Sequence, residues 1–274
     1  MEKSGQFWTI LFALFLLSSL IALPIIREQR WYKKLLFYYF PKYLVPLTPG
    51  LKPINVYYKA LTPEERKRFE WLVYYFITST EISFRQFKPT QLINYNAARY
   101  LIASCASQIS LFLSEDCYDA FHKIIIYPDK YYSPITGQYH KGETNPGAGY
   151  IVLSWNSLNS GFANNADGIN LLMHELAHAL WLENKMFDYE IFEAEALESY
   201  EVMAAVAKAN MQSSGEEHFF RRYALTNDEE FFAVAVENFF ERPVQFSTAL
   251  PDLYATMVTL FKQDPIKLYA PRTQ

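Results

Sequence analysis

The sequence predicts an α+β protein in which two leading helices precede a small sheet and a helical C-terminal half. Helical spacing of apolar residues dominates residues 62–113. The period then changes, because residues 123–127 and 150–155 form short runs rich in β-branched side chains. Helical patterns return from Asp167 onward. Together these observations predict one globular domain over residues 61–274.

The start of the first helix is encoded by the residues around it. Thr62 can accept a hydrogen bond from a free amide, Pro63 suits the first helical position, and Glu65 completes a capping box. The residues that follow are amphipathic, which favours a helix that covers a core. A second helix is expected from about Gln91 to Leu113, where Ala, Leu and Ile recur at helical spacing.

The two predicted strands lie on either side of a glycine-rich segment. Lys123–Tyr127 is stopped by Pro128, and Tyr150–Trp155 forms the second run. Residues 137–149 contain four glycines and a proline, which predicts a loop. Because loops positioned by a rigid scaffold often carry function, this segment is a candidate lining for a site.

The N-terminus carries a long apolar segment. Phe7 to Ile26 are twenty consecutive uncharged residues, which is the length that a helix needs to cross a bilayer core. A cleaved signal peptide is the alternative, but no small-x-small cleavage pattern follows closely. We therefore expect a single-pass membrane anchor over residues 7–26, preceded by a short tail over residues 1–6.

Basic residues after this segment indicate its orientation. They comprise Arg27, Arg30, Lys33 and Lys34, and the positive-inside rule places them in the cytoplasm. Residues 27–60 are then a basic juxtamembrane segment followed by a Pro-rich, extended linker. The expected localisation is at the membrane, with the main domain in the cytoplasm.

Charge and cysteine content exclude some classes of protein. The formal net charge is −4, and no basic stripe is present that could neutralise a run of phosphates, so nucleic-acid binding is not expected. Cys105 and Cys117 do not form a disulfide framework or a CxxC motif. They are interpreted as free thiols, which favours a reducing compartment.

A metal-binding motif lies in the helical half. His174 and His178 are four residues apart, so on a helix both rings can reach a single Zn²⁺, and Glu175 can accept a proton from water beside it. The helix over residues 169–182 is apolar in every direction, which indicates burial. Since burying a carboxylate and two imidazoles is costly unless they are compensated, the pattern favours a bound metal.

The third zinc ligand is left open by spacing alone. Glu198 follows His178 by twenty residues, as the glutamate ligand does in thermolysin-like enzymes, but it lies in an acid-rich helical run typical of a solvated face. Glu230 lies in the first turn of another predicted helix, where the helix dipole holds a carboxylate ionised. Against it, Glu237 and Glu241 fall on the same stripe, as on a solvent-exposed surface.

Two blocks of this sequence resemble the MtfA (Mlc titration factor A) family of zinc peptidases. The second block also resembles the catalytic domain of anthrax lethal factor, which shares the order Tyr, Thr-Asn and Glu-Phe-Phe-Ala. The likeness covers most of residues 60–245. The segments that carry it are Ile124–Pro128, Gly142-Glu143, Val152–Trp155, His174–His178 and Tyr223–Val234.

The resemblance implies a zincin-like metallopeptidase with Zn²⁺ as its cofactor and a peptide or protein as its substrate. Matched residue by residue, it implies that His174, His178 and Glu230 are the zinc ligands. It also implies that Glu175 is the general base and that the hydroxyl of Tyr223 steadies the tetrahedral intermediate. Glu230 is thereby favoured over Glu198 as the third ligand.

Peptidases of this shape bind substrate along an edge strand, and the expected strand here consists of Tyr150, Ile151, Val152 and Leu153. The alternative function is that of a zinc-containing protein that sequesters a regulatory protein without proteolysis. The sequence departs from the family in two places. Ala179-Leu180-Trp181 replaces the usual Lys-Leu-Asp, and the predicted anchor is additional, so substrate and regulatory partner are not transferred.

Overall fold

The structure is a computed structural model that describes residues 25, 29–39, 55–88, 90–91, 93–164, 166–187, 189–213 and 218–269. The chain divides into two compact units, residues 1–46 and residues 47–274. In the first unit the described residues form helix α1 (Arg30–Tyr39). The second unit contains the sheet and all of the predicted site residues, and it is the subject of the following paragraphs.

The mixed α+β composition that the sequence predicts is confirmed in the second unit. Its elements, in chain order, are α2 (Asn55–Ala60), α3 (Pro63–Ser79), β1 (Glu81–Phe84), α4 (Tyr95–Ser110), β2 (Lys123–Tyr127), β3 (Tyr131–Ser133), β4 (Gln138–His140), β5 (Gly142–Asn145), β6 (Tyr150–Ser154), α5 (Trp155–Ala163), α6 (Leu171–Met186), α7 (Ala194–Ser213), a 3₁₀ turn (Arg222–Leu225), α8 (Asp228–Glu241), α9 (Pro243–Ala249), α10 (Pro251–Phe261) and α11 (Pro265–Tyr269).

The leading helices have the starts that their sequences encode. The Thr62 side chain accepts a hydrogen bond from the amide of Glu65, and the Glu65 carboxylate accepts one from the amide of Thr62, so the capping box is present. Helix α4 is shorter than expected, since it begins after the N-cap Asn94 and ends at Ser110. Cys105 and Cys117 are free thiols, as predicted, and both are buried.

The main sheet has four strands in the order β1-β2-β6-β5. Strands β1, β2 and β6 are parallel, and β5 runs antiparallel to β6. The central residues of β2 and β6 are buried without alternation, as expected for strands that are covered on both faces. Strands β3 and β4 form a separate hairpin. Strand β5 therefore forms one edge of the sheet.

The predicted identity of the edge strand is wrong. Tyr150, Ile151, Val152 and Leu153 lie in β6, which pairs with β2 on one side and with β5 on the other. Its backbone hydrogen-bonding groups therefore have partners on both sides, and it cannot add a substrate strand. The edge belongs to Gly142–Asn145, within the segment that the glycine content predicted to be a loop.

The predicted membrane anchor is contradicted. No helix within the stretches that the structure describes is long and apolar enough to span a bilayer. Residues 7–26 lie outside those stretches apart from Ile25. The described helix that follows, α1, has 10 residues and contains several basic side chains. At 1.5 Å per residue it covers about half of a bilayer core. The predicted localisation at the membrane depended on this anchor, and it is therefore contradicted as well.

The predicted Pro-rich linker is wrong over its last residues. Residues 55–60 form α2, and Tyr57 on this helix is buried. Its hydroxyl donates to Oε1 of Gln263 at 2.8 Å, so α2 is packed against the C-terminal part of the same unit. Residues 40–54, which include all four prolines of the predicted linker, lie outside the described residues.

Helices α6 and α8 pack directly against each other, and this packing sets the relative position of the site residues that they carry. Phe232 of α8 is fully buried, and its ring centroid lies 5.0 Å from that of Trp181 on α6. Phe192 and Phe261 pack on the same ring at 5.8 and 6.1 Å. Because packed aromatic rings tolerate little displacement, the side chains on the two helices keep a fixed separation.

Candidate metal centre

Helix α6 carries the two histidines and the glutamate of the motif. Asn170 caps the helix, and its side chain accepts from the amide of Met173 at 3.2 Å. His174, Glu175 and His178 are all buried, at 7%, 5% and 9% exposure. The helix is apolar all round, as the sequence predicted, so these polar side chains lie inside the protein rather than on its surface.

Helix α8 brings Glu230 to the same place. Asn227 caps this helix and its side chain accepts from the amide of Glu230 at 2.7 Å, which fixes the glutamate in the first turn. Glu230 Oε2 lies 3.0 Å from Nε2 of His174 and 3.5 Å from Nε2 of His178. The alternative carboxylate, Glu198, is exposed on α7 and is not part of this cluster.

The three ligand atoms form a triangle that fits a tetrahedral metal. Glu230 Oε2 lies 3.0 Å from Nε2 of His174 and 3.5 Å from Nε2 of His178, and these two nitrogens are 3.1 Å apart. Bonds of 2.0–2.1 Å to Zn²⁺ in tetrahedral geometry place ligand atoms roughly 3.3 Å apart. Glu230 Oε2 is also buried with no hydrogen-bond donor within the described part of the chain. The donor set and its spacing therefore suit zinc.

The pKa values of His174 and Glu230 depend on each other, because the two side chains are in contact. Burial lowers the pKa of His174, but the carboxylates of Glu230 and Glu237 outweigh this and raise it to about 10. Burial opposes ionisation of Glu230, yet the two histidines hold its pKa well below the usual range. The carboxylates around His174 thus favour a positive charge at this position, which either a proton on the ring or a metal ion can supply.

Glu175 lies against strand β5 rather than in the triangle. The hydroxyl of Thr144 lies 2.9 Å from its Oε2 and 3.1 Å from its backbone oxygen. Burial raises the pKa of Glu175, against the opposing effect of the two histidines and Thr144. A Cβ atom on Gly142 would overlap the Glu175 carboxylate, so glycine is needed for this close approach.

Tyr223 lies on the 3₁₀ turn that packs against α8. Its side chain is half exposed, and its ring centroid lies 6.1 Å from that of His174. Burial and the neighbouring Glu230 carboxylate raise the pKa of the Tyr223 hydroxyl well above its usual range, so the hydroxyl keeps its proton at neutral pH. Tyr223 is therefore available as a hydrogen-bond donor.

A cleft of about 600 Å³ leads to the cluster. Its walls come from different parts of the chain: Tyr139 on β4, Lys141 directly after it, Ser157 on α5, and Tyr223 on the 3₁₀ turn. His174 and Glu175 also line the cleft. A molecule in the cleft can therefore reach the predicted general base, one of the predicted ligands and the tyrosine hydroxyl together.

The sequence interpretation missed the role of Glu237. This residue shares a stripe with Glu230 and Glu241, a pattern typical of a solvent-exposed surface, but it is only 1% exposed. Its Oε1 lies 2.7 Å from Nδ1 of His174. One signal was available: the helix around Glu237 is as apolar as the helix around the histidines, and the same reasoning from burial applies to both.

Comparisons with known proteins identify the class. Residues 50–262 match the model of the glucose-regulated metallo-peptidase M90 family, and the chain belongs to that family. Among its relatives is the Mlc titration factor A of Yersinia enterocolitica, which is 27% identical over 174 residues, or 54% of this chain and 61% of that protein. The proteins of the same name from Escherichia fergusonii and Klebsiella pneumoniae are 27% and 26% identical, each covering 76% of this chain and 82% of its relative. The predicted likeness to MtfA is thus confirmed.

Proposed function

We propose that this chain is a zinc-dependent peptidase of zincin-like architecture that hydrolyses peptide bonds. His174, His178 and Glu230 hold the metal, and Glu175 and Tyr223 act on the substrate. The single observation that carries the proposal is the donor triangle, whose sides of 3.0, 3.1 and 3.5 Å suit tetrahedral zinc. We assign the activity to the predicted domain over residues 61–274, extended at its start to include α2.

Glu175 is proposed to move the proton. Zn²⁺ held by His174, His178 and Glu230 would supply Lewis acidity to the scissile carbonyl and to the attacking water. Glu175 accepts the proton of the attacking water and delivers it to the leaving amine. Its raised pKa makes the Glu175 carboxylate a stronger base than an exposed glutamate. The hydrogen bond from the Thr144 hydroxyl fixes the orientation of this carboxylate.

Tyr223 is proposed to stabilise the oxyanion. Its hydroxyl keeps its proton, and its half-exposed side chain lines the cleft beside His174. In other enzymes, removing a donor that is aimed at the developing negative charge raises the activation free energy by about 2.7–4 kcal/mol. This role needs no contact with the metal.

The substrate is proposed to pair with β5 and not with β6. Gly142–Asn145 is an edge strand, and Gly142 lines the cleft. The same strand carries Thr144, which contacts Glu175. An extended peptide that adds to this edge therefore lies next to the general base, with its backbone held by strand pairing.

Removal of zinc is expected to abolish hydrolysis reversibly. The purified full chain should bind about one zinc per chain, since one triangle of donors is present among the described residues. Dialysis against a chelator should remove both the metal and the hydrolysis of a fluorescently labelled unstructured protein, and added Zn²⁺ should restore both. Full hydrolysis by metal-free protein, or no zinc binding by the wild type, would contradict the proposal.

Gly142→Ala is expected to lower kcat/KM by about 100-fold, because the new methyl group displaces the Glu175 carboxylate and small misplacements of a catalytic group carry costs of this size. Zinc affinity should stay unchanged, since Glu175 is not a ligand. Gly147→Ala is the matched control, because its nearest neighbour is Asn145 Oδ1 at 3.6 Å. Equal activity of the two variants, measured with their thermal stability, would show that the close approach is not required.

A second function is suggested by the names of the relatives. Mlc titration factor A is named for the titration of a regulatory protein, so this chain could bind such a protein without cleaving it. Glu175 separates the two functions, since binding alone needs no general base. Calorimetry with a purified Mlc protein, in wild type and in Glu175→Gln, tests it: tight binding without hydrolysis by the wild type would favour the binding protein.

A further inference from the structure

His174 is held at both ring nitrogens. Its Nε2 faces the donor triangle, 3.0 Å from Glu230 Oε2. Its Nδ1 points the other way and lies 2.7 Å from Oε1 of Glu237. His178 differs, because its Nδ1 is buried with no hydrogen-bond partner in the stretches that the structure describes. Of the two histidines, His174 is therefore the one whose orientation and tautomer are set by a neighbouring carboxylate.

Glu237 is itself held rigidly by three donors. Arg221 contacts Oε1 through Nη2 at 2.6 Å and Oε2 through Nη1 at 3.2 Å. The amide of Asn170, the N-cap of α6, donates to Oε2 at 2.6 Å. The guanidinium offsets the charge of the buried carboxylate, and each oxygen has at least two donors. The carboxylate therefore cannot rotate without breaking several hydrogen bonds.

We propose that Glu237 is a positioning residue for the metal ligand His174, an inference that rests on the proposed zinc site. Glu237 accepts a hydrogen bond from the Nδ1–H of His174, so that the lone pair of Nε2 is directed at the metal. A carboxylate in this position fixes the ring and makes the ligand nitrogen more basic. Removing such a partner typically weakens metal binding about 10- to 100-fold. Glu237 touches neither of the other two ligands among the described residues.

Glutamine at position 237 cannot satisfy all of these contacts. If its oxygen faces His174, its amide nitrogen faces the donors of Arg221 and Asn170. If its oxygen faces Asn170, its amide nitrogen donates to Nδ1 of His174 and stabilises the tautomer that carries its proton on Nε2. That proton occupies the position from which the ring would bind the metal. The first orientation costs hydrogen bonds that hold the side chain in place, and the second directly opposes zinc binding, although the side chain keeps its size.

Glu241 provides a matched control on the same helix. One turn further along α8, it accepts from Nδ2 of Asn170 at 2.9 Å and from the amide of Gly168 at 3.1 Å. Like Glu237, it therefore ties α8 to the segment that begins α6. Among the described residues it contacts neither histidine. Glu241→Gln thus reports the cost of disturbing this packing without disturbing a ligand.

The experiment compares the zinc dissociation constants of wild type, Glu237→Gln and Glu241→Gln, measured by competition with a chromophoric chelator. Glu237→Gln is expected to raise the constant about 10- to 100-fold, and Glu241→Gln by less than about threefold. The melting temperature of each metal-free variant is measured beside it. A constant for Glu237→Gln within threefold of wild type, or an equal loss in both variants, would overturn the inference.

A measurement on the wild type keeps the inference open to refutation if Glu237→Gln does not fold. Long-range ¹H–¹⁵N spectra of the zinc-loaded full chain report which ring nitrogen of His174 carries the proton. The expected result is a protonated Nδ1 and a metal-bound Nε2, and the reverse would overturn the inference. Failure of the wild type to bind zinc would instead overturn the proposed function and this inference together.

Discussion

Glu175→Gln is expected to lower kcat/KM for peptide hydrolysis by about 10²- to 10⁴-fold, the range that a positioned general base contributes. Glutamine has the same shape, and its side-chain oxygen can still accept the hydrogen bond from the Thr144 hydroxyl, which lies 2.9 Å from Oε2 in the native protein. It cannot take a proton from water. Because Glu175 is not one of the three clustered residues that could hold a metal ion, zinc content should remain at the wild-type level.

The assay for Glu175→Gln has an internal control for folding. Zinc stoichiometry and melting temperature are measured on the same preparation, and both should match the wild type. Loss of hydrolysis together with loss of zinc would mean that the variant disturbs the whole site and says nothing about proton transfer. Hydrolysis at the wild-type rate by a folded, zinc-loaded variant would exclude Glu175 as the base.

Glu230→Gln is expected to weaken zinc binding by at least about 100-fold, beyond the typical effect of a residue that only supports a ligand. The side chain would lose its negative charge, while the Nε2 atoms of the two histidines remain 3.1 Å apart. Hydrolysis should fall with zinc occupancy and recover in part at high zinc concentration, because the general base is intact. Competition with a chelator and activity at several zinc concentrations measure both effects.

Glu198→Gln is the control for this assignment. The sequence offered Glu198 as the alternative third ligand, but the residue is exposed on α7 and lies outside the cluster. Its replacement should leave zinc affinity and hydrolysis unchanged within about threefold, as expected for a surface substitution. Wild-type zinc affinity in Glu230→Gln, or a large loss in Glu198→Gln, would reverse the choice of ligand.

Much of the fold is predictable because it depends on local patterns. The capping box at Thr62, the β-branched run of β2 and the caps of the later helices are each encoded within a few residues. Strand β5 is different, since Gly142–Asn145 has little intrinsic preference for a strand and owes its conformation to pairing with β6. The edge of the sheet could therefore be identified only from tertiary structure.

The residues of the candidate site also fall into two groups, those that local sequence patterns predict and those that depend on tertiary structure. His174 and His178 lie one turn apart on one helix, so their convergence follows from helical geometry alone. Glu230 is 52 residues further along the chain than His178, and the residues around it resemble a solvent-exposed stripe. Its place in the first turn of a helix suits a ligand, but only its likeness to a known motif favoured it over Glu198. Glu237 was misread for the same reason, because a charged stripe was taken to face solvent although α8 is apolar on its other faces.

The packing of α6 against α8 links the proposed metal site to folding. The three donors come from two segments that are distant in sequence, so a peptide containing α6 alone holds only two of them. Bringing the third into place requires closure of a long loop, which is favourable only when the aromatic core around Phe232 has formed. Zinc affinity is therefore a readout of native tertiary structure. Substitutions in this core that never touch a ligand should release the metal before they unfold the helices themselves.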